Sequence, residues 1–411
     1  MPLARKRKAR WPVHGEATEP NPGGSVPVVT HDDGLTVTPL ERRALLAASV
    51  FALTALGALQ ALWGPAFPAL MDRYGVGIDT VGTTVMLHFI GGLTSTLAAP
   101  WLLPRFGYRR ILVIAGIVAA SGMTLAALAP TWSLLLTAAL MGGLGFGLTN
   151  TGLNILVTRT FTRNAAPYLN LLSALFGVGA ILGPIVVAAV TAAGVSLWHP
   201  FLGLAGLAAL ATLFALATPN PRILTANAGA RTPWLLALGF AAIYLVYVGT
   251  ESSVAAWETV HLKPFVGAGR AAALTSLFWI MLTLGRFAIV PIASRFKPRY
   301  LVLGASAATL VALAFTHIPS IAPFAYAAAG FVMAPIFPTA MAWISAVFPK
   351  RREQVIPLAL GLGAFGPIGA TALIGAWAAG AGTQVIPTAL TLLGILLLLV
   401  AGSMVWATRS R

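Results

Sequence analysis

Beyond residue 44 the chain alternates between long apolar stretches and short polar segments, and almost all of its charge sits in the latter. Each stretch is long enough for a helix to cross roughly 30 Å of hydrocarbon. Twelve helices are predicted, at residues 45–68, 80–103, 111–129, 132–158, 167–193, 199–217, 234–257, 271–293, 300–318, 321–347, 354–379 and 384–407. The runs are continuous rather than alternating, which points to helices and not to a β-barrel. The expected fold class is all-α: a polytopic membrane protein with twelve transmembrane helices in two pseudo-symmetric six-helix bundles. Residues 1–43 form a polar, Pro- and Gly-rich tail expected to be disordered, 44–218 the first bundle, 219–232 a linker and 233–408 the second bundle.

Composition sharpens this picture. Of 411 residues 58% are hydrophobic and 9% charged, against about 25% charged in soluble domains. A net charge of +16 would suggest nucleic acid in a soluble protein. Here it reads as topology: with both termini inside, all of the 26 Lys and Arg except Arg73, Lys263, Arg270 and Arg286 fall on the inner side. That asymmetry predicts cytoplasmic termini in a plasma (inner) membrane and leaves no need for a nucleic-acid partner. The basic cluster Arg5 to Arg10 serves as a topology determinant or touches lipid headgroups. The absence of cysteine excludes disulfides and thiolate chemistry. No P-loop, His-Glu-x-x-His or Gly-x-Ser-x-Gly motif is present, so an enzyme is not expected, nor a cofactor or metal.

The two halves echo each other. Arg105-Phe106 answers Arg295-Phe296, Gly183-Pro184 answers Gly366-Pro367, and Phe161-Thr162-Arg163 answers Phe348-Pro349-Lys350, in one order and at nearly one spacing. A duplicated six-helix unit follows. On these residues the chain resembles the major facilitator superfamily over residues 45–407. That family's loop signature after the second helix keeps Arg105, Gly107 and Arg109 here, whereas Pro104 replaces the acid, and Ser294 stands in the equivalent place of the second half. The resemblance implies a gating role for Arg105, Arg109 and Arg295, put in question by the two missing acids. Tyr247 to Glu251 with Trp257, Leu277-Phe278-Trp279 with Gly285-Arg286, Gly143-x-Gly145-x-Gly147 with Asn154, and Leu169 to Pro184 resemble the fucose permease-like sugar transporters. The resemblance implies a monomeric carrier of a small-molecule solute, a sugar, by alternating access, with H+ as the possible coupling ion. The acids that proton-coupled members carry in the first and fourth helices are absent, Asn150 standing at the latter position. Efflux of drug-like amphipathic compounds by proton antiport is the alternative, since Gly179-x-x-x-Gly183-Pro184 partly resembles a drug-antiporter motif; a non-transporting receptor is the second.

The chemistry centres on Glu251, the one acid expected inside an apolar span. A carboxylate at bilayer depth costs roughly 2.5–3.5 kcal/mol, so it should face a wet cavity or a partner. Tyr244, Tyr247 and Glu251 share a helical face. Glu251 and His88 are the proton-coupling candidates; the competing readings are a structural acid gluing helices and a neutral, hydrogen-bonded histidine on a face with Thr84, Gly91 and Ser95. The substrate-binding candidates are Gln60, Trp63, Asn150, Asn154, Tyr247, Trp279 and Trp343; the amides suit hydroxylated solutes, and the aromatic faces suit a sugar or a drug-like compound alike. Helix packing is the competing role for each. Gln60 and Trp63 precede a break expected at Gly64-Pro65, and bends are expected at Pro335, Pro338 and Gly366-Pro367. By rise per residue Glu251 and Arg286 lie about 14 Å apart in depth. Direct pairing is therefore not expected, and Arg286 is assigned to carbonyls near the inner gate or to headgroups.

Overall fold

The structure is a computed structural model, which describes residues 37–161, 165–220, 234–289, 291, 295–349 and 351–409. Most of the tail and of the 219–232 linker, with Arg163, Ser294 and Lys350, lies outside the described residues. From Val37 onward the chain forms one unit.

Twelve helices among the described residues are long and apolar enough to cross a membrane: α1 Pro39–Tyr74, α2 Ile78–Phe106, α3 Tyr108–Leu128, α4 Trp132–Thr160, α5 Pro167–Ala192, α6 Trp198–Ala215, α7 Trp234–Val266, α8 Ala268–Ala288, α9 Pro298–Phe315, α10 Ala322–Val347, α11 Val355–Ala381 and α12 Val385–Ala407. An even number places both ends on one side, here called the terminal face; the other is the far face.

Two boundaries move for physical reasons. The first helix starts before the apolar run, because Thr38 and Glu41 make a reciprocal capping box ahead of Pro39. The tail therefore ends before residue 39, not at 43. The seventh helix runs nine residues past Trp257 to Val266, so its last turns carry Glu258, His261 and Lys263.

The expected break at Gly64-Pro65 is absent, and α1 stays helical through Pro65 and Pro68. Gly64 instead lets α1 press on the Ala255–Ala256 backbone of α7. Of the bends expected later, those at Pro335 and beside Gly366-Pro367 occur, whereas Pro338 lies within unbroken helix. Helix α10 is interrupted at Ala334–Pro335, between Ala322–Met333 and Ile336–Val347. Helix α11 is interrupted at Ala364, just before Gly366-Pro367.

The two bundles repeat each other in detail. In the first, α1 packs on α5 and α6, α2 on α4, and α3 on α4 and α6; in the second, α7 packs on α11 and α12, α8 on α10, and α9 on α10 and α12. The repeated Gly-Pro motifs occupy equivalent contacts: Gly183 abuts Ala58 of α1, and Gly366 abuts Leu245 of α7. Arg109 Nε donates to the Thr218 carbonyl at 2.7 Å, and Arg299 Nη1 to the Thr408 carbonyl at 3.0 Å. The bundles meet along α1–α7, α5–α8 and α2–α11, the last two being equivalent under the repeat.

Candidate solute and proton site

The one-face placement of Tyr244, Tyr247 and Glu251 holds, and that face of α7 turns toward α10. The Tyr244 hydroxyl donates to the Phe337 carbonyl at 2.8 Å. The Tyr244 and Tyr247 rings lie 5.2 and 6.2 Å from the Phe337 ring. The Tyr247 hydroxyl donates to Glu251 Oε2. Arg286 of α8 reaches the same hydroxyl, and its charge acts on both Tyr247 and Glu251. Glu251 and Arg286 are thus joined through Tyr247, where depth alone kept them apart. The rise per residue compares backbone positions; Tyr247 sits one turn nearer the terminal face than Glu251, and two long side chains close the remaining gap. Arg286 thus binds the Tyr247 hydroxyl and not lipid headgroups, which corrects that part of its assignment.

In the first bundle the His88 face is buried against α4, with Thr84, Gly91 and Ser95 buried alongside. His88 bonds the Ala139 backbone, which leaves its Nδ1 without a partner in the protein. Its ring lies 6.4 Å from Trp63 and 5.4 Å from Phe146. Trp63 Nε1 and Gln60 Oε1 are also buried without partners, as is Trp279 Nε1 in α8. A buried amide or indole left unpaired in a native protein calls for a ligand or water.

Gly143 and Gly147 fit against the α2 backbone at His88 and Gly92, so these small residues serve close packing of α4 on α2. Asn150 and Asn154 are half-buried and bond each other, with Asn154 Nδ2 donating to Asn150 Oδ1 at 3.1 Å and to the Asn150 carbonyl at 2.8 Å. Trp343 is buried edge-on against Phe240 of α7 at 5.1 Å.

Among the loop arginines, Arg105 is exposed and stacks on Trp101 and Phe106, and Arg295 is exposed. Arg109 finds an acid after all. Its Nη2 pairs with Glu41 at 3.2 Å, so the carboxylate missing from the loop comes from the first turn of α1.

Sequence reasoning missed a second acid. Glu258 falls just past the predicted span 234–257, yet it lies inside α7 at 0% exposure, and neither carboxyl oxygen has a hydrogen-bond partner of normal geometry. The signal was available in Glu258-Thr-Val-His261, which continues the helical spacing past Trp257. Among the described residues no cluster of three or more acids and histidines could hold a metal.

In the far-face half of the protein the two bundles meet around Trp257. Its indole donates to the Thr371 carbonyl at 3.2 Å, and its ring meets Phe67 of α1 at 5.2 Å. Gly82 and Gly375 bring the start of α2 and the middle of α11 against the same ring.

Residues 49–268 match the Major Facilitator Superfamily. Over 346 residues, 78% of this chain and 84% of the relative, the sequence is 22% identical to the glucose/mannose transporter GlcP of Bacillus subtilis. The fold is similar to that of the nucleoside transporter NupG, with a TM-score of 0.68 at 14% identity, covering 89% of this chain and 99% of that one. It is also similar to the xylose transporter XylE from E. coli, with a TM-score of 0.70 at 14% identity, covering 88% and 95%.

Proposed function

Because the chain belongs to the Major Facilitator Superfamily and is a secondary transporter rather than an enzyme, we propose that it carries a sugar across the membrane by rocking of its two bundles. The reading extends the family to the fucose permease-like group. It takes residues 44–218 and 233–408 as the moving units, the terminal face as cytoplasmic, the inner membrane as the location and the monomer as the working form.

The observation that carries the solute class is the set of buried, unpartnered polar atoms at Gln60, Trp63 and Trp279. They offer one acceptor and two donors, and Trp63 is flanked by the rings of His88 and Phe201. Sugars present both hydroxyls that pair with such groups and apolar ring faces that stack on indoles. The likeness to a relative named as a glucose/mannose transporter supports the same class.

For coupling, Glu251 is the proton carrier, and Tyr247 and Arg286 are its positioning partners. A carboxylate that shares a hydroxyl with a cation responds when either moves, which is what alternating access requires of a coupling group.

Uptake of labelled hexoses into proteoliposomes, with and without a pH gradient, tests both parts. Gradient-driven accumulation is expected in the wild type. In Glu251→Gln it should vanish while downhill exchange persists. Sugar flux indifferent to the gradient and to the mutation would leave a uniporter with a structural Glu251, and no sugar flux at all would favour efflux of amphipathic compounds.

A further inference from the structure

The geometry points to a second proton-binding site, distinct from Glu251: Glu258 carries an exchangeable proton that reaches it from the far face through the His261–Tyr326 pair. This extends the transporter assignment and does not depend on the solute being a sugar.

Glu258 lies eight residues from the end of α7, about 12 Å of helical rise below the far-face terminus. It is fully buried, and both of its oxygens lack a hydrogen-bond partner of normal geometry. The groups around it can be named by element. From α8, the Thr275 hydroxyl interacts with it and is itself 3.0 Å from that of Thr259 of α7. From α10, Tyr326 is close enough to interact with its charge. On α7 itself His261 follows at i+3, on the same face. No Lys or Arg is in ion-pair range: among the described residues the one such pair is Arg109 with Glu41.

A buried carboxyl with neither a cation nor a full set of donors is costly as an anion and is carried as the neutral acid. Its proton needs a path, and a hydrogen-bonded pair lies on the far-face side of it, with Tyr326 near enough to feel the Glu258 charge though not hydrogen-bonded to it. His261 Nδ1 and the Tyr326 hydroxyl are 2.9 Å apart. Tyr326 is fully buried, and His261 nearly so. Beyond them His317, between α9 and α10, is exposed and interacts electrostatically with His261. Imidazole and phenol each accept and donate a proton.

The transfer balances. His261 takes a proton from the far-face side on its other ring nitrogen and gives the one on Nδ1 to the Tyr326 oxygen. The Tyr326 hydroxyl proton passes to Glu258. Tyrosine ends as it began, histidine ends as its other neutral tautomer and is reset by a ring flip or by reverse transfer, and the carboxylate gains one proton.

Infrared difference spectroscopy of the full-length protein in lipid bilayers, in H2O and D2O, tests this without any solute. At neutral pH the wild type should show a protonated-carboxyl stretch that shifts in D2O. The band should be lost in Glu258→Gln and kept in Glu251→Gln. In Tyr326→Phe, which leaves Glu258 in place, the band should shift and its hydrogen–deuterium exchange should slow. Absence of the band from the wild type, or its survival in Glu258→Gln, overturns the site. Exchange as fast in Tyr326→Phe as in the wild type overturns the route, a reading that remains open should Glu258→Gln fail to fold. A negative result here leaves the sugar reading standing, and a negative uptake assay leaves this site standing.

Discussion

Tyr247 is the residue on which the candidate coupling site turns, because one hydroxyl serves both Glu251 and Arg286. Tyr247→Phe keeps the ring against Phe337 and removes that hydroxyl alone. The carboxylate then loses its donor at bilayer depth, a loss worth about 1–3 kcal/mol. Thermal unfolding of the purified protein should register that destabilisation, and gradient-driven uptake should fall further than stability alone explains. The other acid–arginine contact behaves differently. Arg109 and Glu41 are 39% and 26% exposed, so water screens them, and Glu41→Gln should cost no more than about 1 kcal/mol. Glutamine still completes the capping box with Thr38, so the first turn of α1 should survive. Raising the salt should shrink the wild-type advantage, and a large, salt-independent loss would show that the pair acts as more than a surface contact. The sequence made Glu251 and Tyr247 conspicuous, since both interrupt or frame an apolar run on one helical face. The roles of Arg286 and Glu41 were hidden because each partner comes from a different helix. Only tertiary packing decides how far a long side chain reaches, and no spacing rule along one helix encodes it.

At the scale of elements the spans were legible and their ends were not. Hydropathy locates a helix by its lipid-facing stretch, so all twelve were found. It cannot see a helix that continues beyond that stretch because neighbouring helices bury its polar residues. That is why the hydropathy pattern ends α7 at Trp257 and leaves Glu258 outside the predicted span. The expected Gly64-Pro65 break failed for a related reason: a glycine in a helix reads as a weakness, whereas here it is a contact surface. The same distinction predicts opposite outcomes for glycine-to-alanine changes. A methyl at Gly366 would overlap the Leu245 carbonyl, and one at Gly179 the Thr54 carbonyl. Either substitution forces two helix backbones apart and should cost about 1–3 kcal/mol, seen as a lower unfolding temperature. Gly203 in α6 is exposed, with nothing within 4 Å of an added Cβ. Gly203→Ala should be neutral or stabilise by up to about 1 kcal/mol through helix propensity. If all three variants unfold at the wild-type temperature, the close α1–α5 and α7–α11 approaches are not what holds each bundle together.

For the whole molecule, the repeat explains why contacts between the halves come in related pairs, α5 with α8 and α2 with α11. An arrangement of this kind can rock about its centre, opening one face as it closes the other, and in the present conformation the two bundles meet around Trp257 in the far-face half. A cross-link on that side should hold them together. Gly269 opens α8 on the far face, and a Cβ added to it would lie 3.9 Å from the Ala192 Cβ at the end of α5. That separation is within the span a disulfide bridges, about 3.5–4.5 Å between Cβ atoms. The native chain has no cysteine, so a Gly269→Cys/Ala192→Cys pair would form its bond without competition. Under oxidising conditions the double variant should be cross-linked, visible as a mobility shift after proteolysis between the halves. Transport should stop, because α5 and α8 belong to different bundles and must separate for the far face to open. A reductant should restore it, and each single-cysteine variant should transport in either condition. Full transport by a quantitatively cross-linked protein would mean that this contact does not part during the cycle, and the rocking description of the two bundles would have to be abandoned.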